Sequence, residues 1–276
     1  MLTDKTLNEI KTLQEICERE GGFQLKLNFD MLKNRNEHQK EDFFYYEDDK
    51  HVGFLGSYHF GSKVELCGMM HPEYRRQRIF TKLLAEALEE AKQRGAQTIL
   101  LNAPTASESA KAFLKTIPCT FTIAEYQMQW QTNQLLSEDR AVKLRLSSTP
   151  EDLEASIQLD IQCFGISESD ARAVTRRIHD SNDSQNWIIE AKGQTAGKIR
   201  VSEVDGEAWI YGFAIFPTLQ RQGIGRKALA QVVNMEAKKG LPVFLEVEAK
   251  NAHALKLYES CGFQSYHSQD YYTYLD

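Results

Sequence analysis

Residues 216–229 read Phe216-Pro-Thr-Leu-Gln-Arg-Gln-Gly-Ile-Gly-Arg-Lys-Ala-Leu229 and join two segments of different periodicity. The residues from Trp209 to Phe216 are mostly apolar and aromatic, which predicts a strand, and from Ile224 onward apolar residues recur at helical spacing. The first turn of a helix has unpaired N–H groups and about half a positive charge. Glycines such as Gly223 and Gly225 let a phosphate approach that backbone without meeting a Cβ. We therefore predict that this strand–loop–helix junction binds phosphate groups.

The loop has the spacing Gln220-x-x-Gly223-x-Gly225, which differs from both the Walker loop and the dinucleotide-binding fingerprint. Three basic residues add positive charge around it: Arg221, Arg226 and Lys227. A glycine pair before a helix is also typical of an ordinary tight turn, so the rest of the chain has to discriminate between the two interpretations.

The composition bounds the class of protein. The chain has 276 residues, enough for two ordinary domains. Its formal net charge of −6 argues against a nucleic-acid-binding protein that works through bulk charge. No apolar run approaches the roughly 20 residues of a membrane span. The N-terminus is polar, and the five cysteines stand singly, without a Cys-x-x-Cys pair. We expect a globular cytoplasmic protein without a metal site, disulfide framework, membrane or nucleic-acid partner.

The chain contains an internal repeat. A shift of about 145 positions brings Pro72 onto Pro217, Arg76 onto Arg221 and the helix stop Gly95 onto Gly240. The predicted order of strands and helices also matches between the two halves. We therefore predict two α/β domains, at 1–130 and 141–276, joined by a polar linker at 131–140.

A second informative segment follows the loop: Leu245-Glu-Val-Glu-Ala-Lys-Asn-Ala-His-Ala-Leu-Lys-Leu-Tyr-Glu-Ser-Cys-Gly-Phe263. It resembles the N-x-x-A-x-x-L-Y-x-x-x-G-F segment of the GNAT superfamily of acetyl-CoA-dependent acetyltransferases, and the Gln220 loop resembles that family's Q/R-x-x-G-x-G/A pyrophosphate loop. The run from Leu245 is most similar to the ribosomal-protein N-terminal acetyltransferase branch. The resemblance implies a mixed α/β fold of two tandem GNAT-like domains, each a splayed mixed β-sheet flanked by helices.

The resemblance also implies the site residues. Tyr258 matches the family's general acid and Glu246 the base of the ribosomal-protein branch, with Glu207 or a water relay as the alternative base. Acetyl-CoA would be the cosubstrate. The residues expected to bind it are Ile215, Phe216, Pro217, Gln220, Arg221, Gln222, Gly223, Ile224, Gly225, Arg226, Lys227 and Asn251. Asn251 is also predicted to be a plain N-cap for the helix at His253, and the two roles are compatible.

The first copy departs from the pattern at the positions that carry the chemistry. Arg78 stands in place of Gly223 and Phe80 in place of Gly225. Leu114 replaces Tyr258, and Ser107 replaces Asn251. We therefore expect domain 1–130 to be degenerate and not to bind acetyl-CoA.

The expected reaction is transfer of the acetyl group to a primary amine, by direct attack within a ternary complex. An amine with a pKa near 10.4 is almost entirely protonated at neutral pH, so a base has to remove its proton. The acceptor would be a small amine or a peptide N-terminus. Two alternatives stay open: a non-catalytic acyl-CoA-binding or regulatory module, and a transferase that uses another acyl-CoA or acceptor.

Overall fold

A computed structural model of the chain describes residues 2–36, 38–132, 134–137, 139, 141–181 and 184–275. The helices are α1 (Asp4–Gly21), α2 (Phe29–Lys33), α3 (Ile79–Gln93), α4 (Glu108–Leu114), α5 (Pro150–Phe164), α6 (Glu168–Ser181), α7 (Ile224–Lys238) and α8 (Ala252–Ser260). The strands are β1 (Asp42–Glu47), β2 (Lys50–Phe60), β3 (Lys63–Met70), β4 (Thr98–Pro104), β5 (Cys119–Trp130), β6 (Val142–Leu146), β7 (Gln185–Ala191), β8 (Gln194–Val204), β9 (Glu207–Ile215), β10 (Val243–Glu248) and β11 (Phe263–Tyr274). Single-turn 3₁₀ helices lie at Pro72–Tyr74 and Pro217–Leu219.

The chain forms two compact units. The first comprises Met1–Glu125 with His267–Asp276, and the second comprises Tyr126–Tyr266. The end of β11 belongs with the first unit because residues 269–273 pair antiparallel with residues 100–104 of β4. The sequence-based limits place these residues in the second domain instead. Three residues of the predicted linker, Asn133, Glu138 and Arg140, lie outside the described residues.

In the first unit the strands follow the order β1-β2-β3-β4-β11, in which only β3 and β4 pair parallel. One face of this sheet packs against α1, through buried residues such as Leu13 of the helix and Phe54 of β2. The other face packs against α3, through residues such as Leu84 of the helix and Leu66 of β3.

In the second unit the order is β10-β9-β8-β7-β6, with residues 126–130 of β5 beside β10. Strands β9 and β10 pair parallel over Ala208–Ile210 and Val243–Leu245. Helices α7 and α8 cover one face of this sheet, where Ala228, Leu229 and Tyr258 join the inward residues of the strands in one core. Helix α5 packs against β8 and β9. Because successive residues of a strand alternate between faces, Lys198, which bonds to α5, lies on the face opposite Ile199 and the α7 core.

The mixed α/β class and the two-unit layout agree with the sequence-based prediction. The predicted helix that begins at Ile224 ends at Lys238, close to the expected Gly240. Helix α2 and strand β6 were not predicted, since both are short and carry no clear hydrophobic period. None of the helices within the described parts of the chain is both long and apolar enough to cross a membrane.

Candidate functional site

The loop before α7 leaves the start of that helix without a side-chain cap. Gly223 occupies the N-cap position with φ 76°, and no side chain caps the first turn, which also contains no acidic residue. A Cβ at Gly223 would meet nothing nearer than Lys227 Cε, at 3.9 Å. The space above the first N–H groups of α7 is therefore open on the side of Gly223, and the left-handed backbone favours glycine there.

The residues that lead into the loop fix its course. Ile215 is the last residue of β9, Phe216 is the N-cap of the 3₁₀ turn that follows, and Pro217 is the first residue of that turn. Gln220 Nε2 donates to the carbonyl oxygen of Ile215 at 2.9 Å, which ties the loop back to the end of the strand. Arg221 adopts a left-handed backbone with φ 60°.

The remaining loop side chains differ in what they contact. Gln222 Oε1 accepts from Lys192 Nζ at 2.9 Å, and Lys227 Nζ pairs with Asp139 at 2.7 Å. Arg221 and Arg226 are exposed beside the start of α7. Ile224 is buried in the core, so only its backbone faces the loop.

Gly225 serves packing as well as access. A Cβ at Gly225 would point toward Phe213 Cζ (3.5 Å), Leu257 Cδ2 (3.6 Å) and Ile215 Cγ1 (3.7 Å), all ordinary van der Waals distances. The Cα of Gly225 therefore faces β9 and α8. The prediction that Gly225 leaves room for a phosphate applies only to its backbone N–H, because a Cβ there would point into the core. A larger group at this position would enter the space of the Phe213 ring.

The first unit shows the reverse arrangement. Phe80 is the second residue of α3, and its ring lies 2.8 Å from where a Cβ on Gly68 of β3 would stand. The same ring packs edge-to-face on Phe113, with the ring centroids 5.2 Å apart. Gly68 lies two residues before the end of β3, as Phe213 lies two residues before the end of β9. In the first unit the ring, Phe80, comes from the helix and the glycine, Gly68, comes from the strand. In the second unit the ring, Phe213, comes from the strand and the glycine, Gly225, comes from the helix.

Strand β9 contains a bulge close to the loop. Ala214 pairs with Lys198 and Tyr211 with Arg200, so two residues of β9, Gly212 and Phe213, face one residue of β8. Gly212 has φ 54°, which suits the inserted residue of a bulge. The corresponding pair β2–β3 is continuous from Gly53 to Phe60. The bulge therefore distinguishes the second unit from the first.

Tyr258 lies on α8 beneath this part of the strand. It is buried, with its ring centroid 6.4 Å from that of Phe213 and 6.1 Å from that of Phe263. Its hydroxyl bonds to none of the described residues, and burial raises its pKa to about 12. The phenol is therefore protonated at neutral pH and can donate its proton.

Asn251 caps α8. Its Oδ1 accepts from the backbone N–H of Ala254 at 3.1 Å. The amide nitrogen of its side chain has no bond to a described residue. The capping role predicted from sequence is thus present, and the donor end of the amide is available to a ligand.

The two candidate bases lie on adjacent strands and each is held by a neighbour. Glu246 Oε1 on β10 accepts from Gln127 Nε2 of β5 at 2.9 Å, and Glu207 Oε2 on β9 accepts from Trp209 Nε1 at 2.9 Å. Burial, with Glu207 and Glu246 as further causes, raises the pKa of the Tyr266 hydroxyl. The structure therefore brings both carboxylates into the surroundings of one tyrosine.

Sequence reasoning missed Gln127 and Tyr266. Both lie on strands that close a unit, and no local pattern marks which residue of such a strand meets β10. In the first unit the register places Asn102 of β4 where Glu246 stands in β10, since Val64–Ile99 corresponds to Ala208–Val243. No carboxylate therefore occupies that position in the first unit. Among the described residues, no group of three or more His, Cys, Asp or Glu side chains is placed to hold a metal ion.

Comparison with known proteins identifies the family of the chain. A family model described as "Acetyltransferase (GNAT) family" matches residues 7–116 and 153–263. The [Ribosomal protein bS18]-alanine N-acetyltransferase of Escherichia coli K12 is 38% identical over 79 residues, which are 28% of this chain and 53% of that protein. The chain thus spans about half the length of this curated relative.

Two solved structures share the fold. A GCN5-related N-acetyltransferase from Sphaerobacter thermophilus matches with a TM-score of 0.76 at 17% identity, over 96% of this chain and 91% of that one. A tandem GNAT protein from the clavulanic acid biosynthesis pathway matches with a TM-score of 0.69 at 16% identity, over 98% and 94%. These findings confirm the predicted family, the tandem α/β architecture and the transferase class. The chain belongs to the GNAT acetyltransferase family and carries two copies of the family's domain.

Proposed function

We propose that the second unit binds acetyl-CoA and transfers its acetyl group to a primary amine by direct attack in a ternary complex. The observation that carries this proposal is the start of α7 behind Gly223, which none of the described side chains caps and which follows a bulged strand. The Phe213 ring of that strand neighbours Tyr258, a protonated phenol without a hydrogen bond to any described residue. The first unit has the same order of elements, but its β2–β3 pair is continuous and it has neither the glycine nor the tyrosine at these positions.

The loop fits a pyrophosphate. The backbone N–H groups of Ile224, Gly225 and Arg226 lie in the first turn of α7, where intrahelical partners are missing. Arg221 and Arg226 add positive charge at the surface beside them. Acetyl-CoA supplies the activated acetyl group when it is bound, and the chain's own residues supply binding charge, orientation and proton transfer.

Glu246 is the base that the geometry favours. Its carboxylate is half-buried and is oriented by Gln127, so it can accept the proton of an ammonium directly or through a water molecule. Glu207 is oriented in the same way by Trp209, but it lies at the opposite end of its strand from the bulge. We therefore assign the proton-accepting role to Glu246 and hold Glu207 as the alternative.

Tyr258 completes the set as the acid. Because burial keeps its hydroxyl protonated, Tyr258 would be able to give a proton to the thiolate of coenzyme A as that group leaves. General acids of this kind contribute about 10²–10⁴-fold to a rate. No covalent intermediate is required, since the amine can reach the thioester directly in a ternary complex.

Calorimetric titration with acetyl-CoA tests the loop assignment. Gly223→Arg, which copies the first unit, fills the open space at the start of α7, and we expect it to abolish binding. Gly240→Arg is the matched control, because Gly240 has φ 80° just beyond the far end of the same helix, and a Cβ there would meet no atom within 4 Å. Both variants carry the same backbone strain of about 1–2 kcal/mol. Unchanged affinity in Gly223→Arg, or equal losses in both, would refute the loop assignment.

A further inference from the structure

The face of the second unit's sheet opposite α7 and α8 carries six aromatic and acidic side chains, which we call the aromatic–acidic face. They are Glu207, Trp209 and Tyr211 of β9, Phe244 and Glu246 of β10, and Tyr266 of β11. Their neighbours in sequence, such as Ala208 and Leu245, lie in the core under α7. Strand alternation therefore directs Glu207, Trp209, Phe244 and Glu246 away from that core.

The rings form a continuous apolar wall. Trp209 stacks on Phe244 with centroids 5.0 Å apart and an interplanar angle of 18°, and on Tyr211 at 6.3 Å with the same angle. Tyr266 meets Phe244 edge-to-face at 5.8 Å. Trp209, Tyr211 and Tyr266 all stay partly exposed. Such a wall suits a hydrocarbon chain, and aromatic faces also attract ammonium groups.

The two carboxylates stand at opposite ends of this wall. Trp209 pairs with Phe244 in the parallel ladder, Glu207 precedes Trp209 by two residues, and Glu246 follows Phe244 by two. Four residues along a strand correspond to roughly 13 Å between the two backbone levels. Both carboxylates are held in place by hydrogen bonds, from Trp209 and from Gln127. An acceptor that lies along the wall therefore meets one negative charge at each end.

Arg200 fixes the direction of such an acceptor. Its guanidinium lies 4.7 Å from the centroid of the Tyr211 ring, on the side of the wall near the bulge. A cation at this end disfavours a second ammonium there, and it also favours the neutral, nucleophilic form of an amine beside Glu246. The nitrogen of the acceptor that does not react, and stays protonated, is then expected at the Glu207 end.

We propose that the acceptor is a dication: a primary amine that reacts beside Glu246 and carries a second protonated nitrogen beside Glu207, with an apolar segment across Trp209 and Phe244. This proposal rests on the proposed function, since it names the acceptor class of that same site. The reaction balances. The reacting ammonium first gives one proton to Glu246 and from there to solvent, and its nitrogen then bonds to the acetyl carbon while the bond from that carbon to sulfur breaks. The nitrogen loses its second proton after the attack, and the thiolate takes up one proton.

The test compares 1,5-diaminopentane with 1-aminopentane, which share one chain length and differ in the second nitrogen. Thiol release with acetyl-CoA gives kcat/KM for each, and we expect at least a 10-fold preference for the diamine. Glu207→Gln should reduce that preference to less than 3-fold. Glu203→Gln is the control, because Glu203 also lies near the end of its strand but pairs with Lys239 at 2.6 Å, next to α7, and it should keep the preference.

A binding measurement separates this inference from the proposed function. Calorimetry of 1,5-diaminopentane on protein saturated with coenzyme A reports the acceptor site without turnover, and Glu207→Gln should weaken binding about 10-fold. Equal kcat/KM for the two amines, a preference that survives Glu207→Gln, or no binding of the diamine would overturn the dication proposal. Failure of the wild-type protein to bind acetyl-CoA would overturn the proposed function instead.

Discussion

Tyr258 is a buried phenol whose hydroxyl bonds to none of the described residues. A buried hydroxyl without a partner contributes little to stability, so its removal is nearly neutral or stabilising. We therefore expect Tyr258→Phe to leave the melting temperature and the Kd of acetyl-CoA unchanged while kcat falls about 10²–10⁴-fold. Thiol-release kinetics and calorimetry measure the two quantities. Wild-type turnover in the variant would remove Tyr258 from the acid role.

Thiol-release kinetics also distinguish the roles of Glu246 and Glu207. Loss of the base lowers kcat/KM with every amine acceptor, so we expect Glu246→Gln to lower it about 10²-fold or more with both 1-aminopentane and 1,5-diaminopentane. Glu207→Gln should act chiefly on the diamine. If Glu207→Gln instead causes the larger loss with the monoamine, the roles of the two carboxylates are reversed.

At the level of elements, Asp152 anchors the start of α5. Thr149 and Asp152 form a capping box, and Asp152 also accepts two hydrogen bonds from Arg145 of β6, at 2.6 and 2.7 Å. Those bonds, against the opposing effect of burial, hold the pKa of Asp152 well below its usual range. The stability contribution is therefore present above the unfolded pKa of about 3.9 and is lost as the pH falls toward the folded value.

We expect Asp152→Asn to lower the free energy of unfolding of the second unit by about 2–3 kcal/mol at pH 7, and by a smaller amount at about pH 2, closer to the folded pKa. Urea titrations at the two pH values measure the difference. Glu154→Gln on the same helix is the control, since Glu154 pairs with Arg172 at the exposed surface and should change stability little at either pH. An equal loss at both pH values would contradict the titration argument.

Lys198 ties α5 and α6 to the bulged region of the sheet. Its Nζ donates to Asp160 Oδ1 at 2.6 Å, and Thr175 Oγ1 donates to Asp160 Oδ2 at 3.1 Å. Burial lowers the pKa of Lys198, although the nearby Asp160 charge acts in the opposite direction. Most of the attraction between Lys198 and Asp160 therefore offsets the cost of removing the two charges from water. We expect Lys198→Met to cost about 3–5 kcal/mol, because it leaves the Asp160 carboxylate buried without its cation.

A double-mutant cycle checks this account. Lys198→Met combined with Asp160→Leu removes both charges and should recover most of the stability lost in Lys198→Met alone. Urea unfolding of the two single variants and of the double variant gives the coupling. A double variant no more stable than Lys198→Met would show that the pair acts through packing and not through charge.

Local patterns predicted the elements that carry local signals. The Gly223 loop, the helix from Ile224 and the cap at Asn251 all depend on residues close in sequence, and the repeat identified the second copy of the unit. The bulge at Gly212, the Gln127–Glu246 bond and the assignment of residues 267–276 to the first unit depend on strand pairing over long separations. Such pairing is set by tertiary packing, and a single inserted residue in one strand leaves no periodic trace.

At the scale of the whole chain, the differences between the two units predict that only the second unit binds acetyl-CoA. We expect calorimetry to give one acetyl-CoA per chain for the wild type and for Arg78→Ala, and none for Gly223→Arg. In the first unit Arg78 holds the N-cap position of α3 with φ 62°, and the Phe80 ring lies against Gly68. A stoichiometry of two in the wild type would show that the first unit is a working site.

The exchange of ring and glycine between the units makes the arrangement of the second unit difficult to introduce into the first by mutation. Phe80→Gly alone leaves a cavity at a cost of about 3–5 kcal/mol. A side chain at Gly68 alone meets both the Phe80 ring and the carbonyl oxygen of Phe54 at 2.8 Å. In β9 the Phe213 ring lies within the bulge, so the same arrangement in β3 would also require one inserted residue. We expect each single change to destabilise the first unit before any binding of acetyl-CoA is gained, so at least three coupled changes would be needed to give it the arrangement of the second unit.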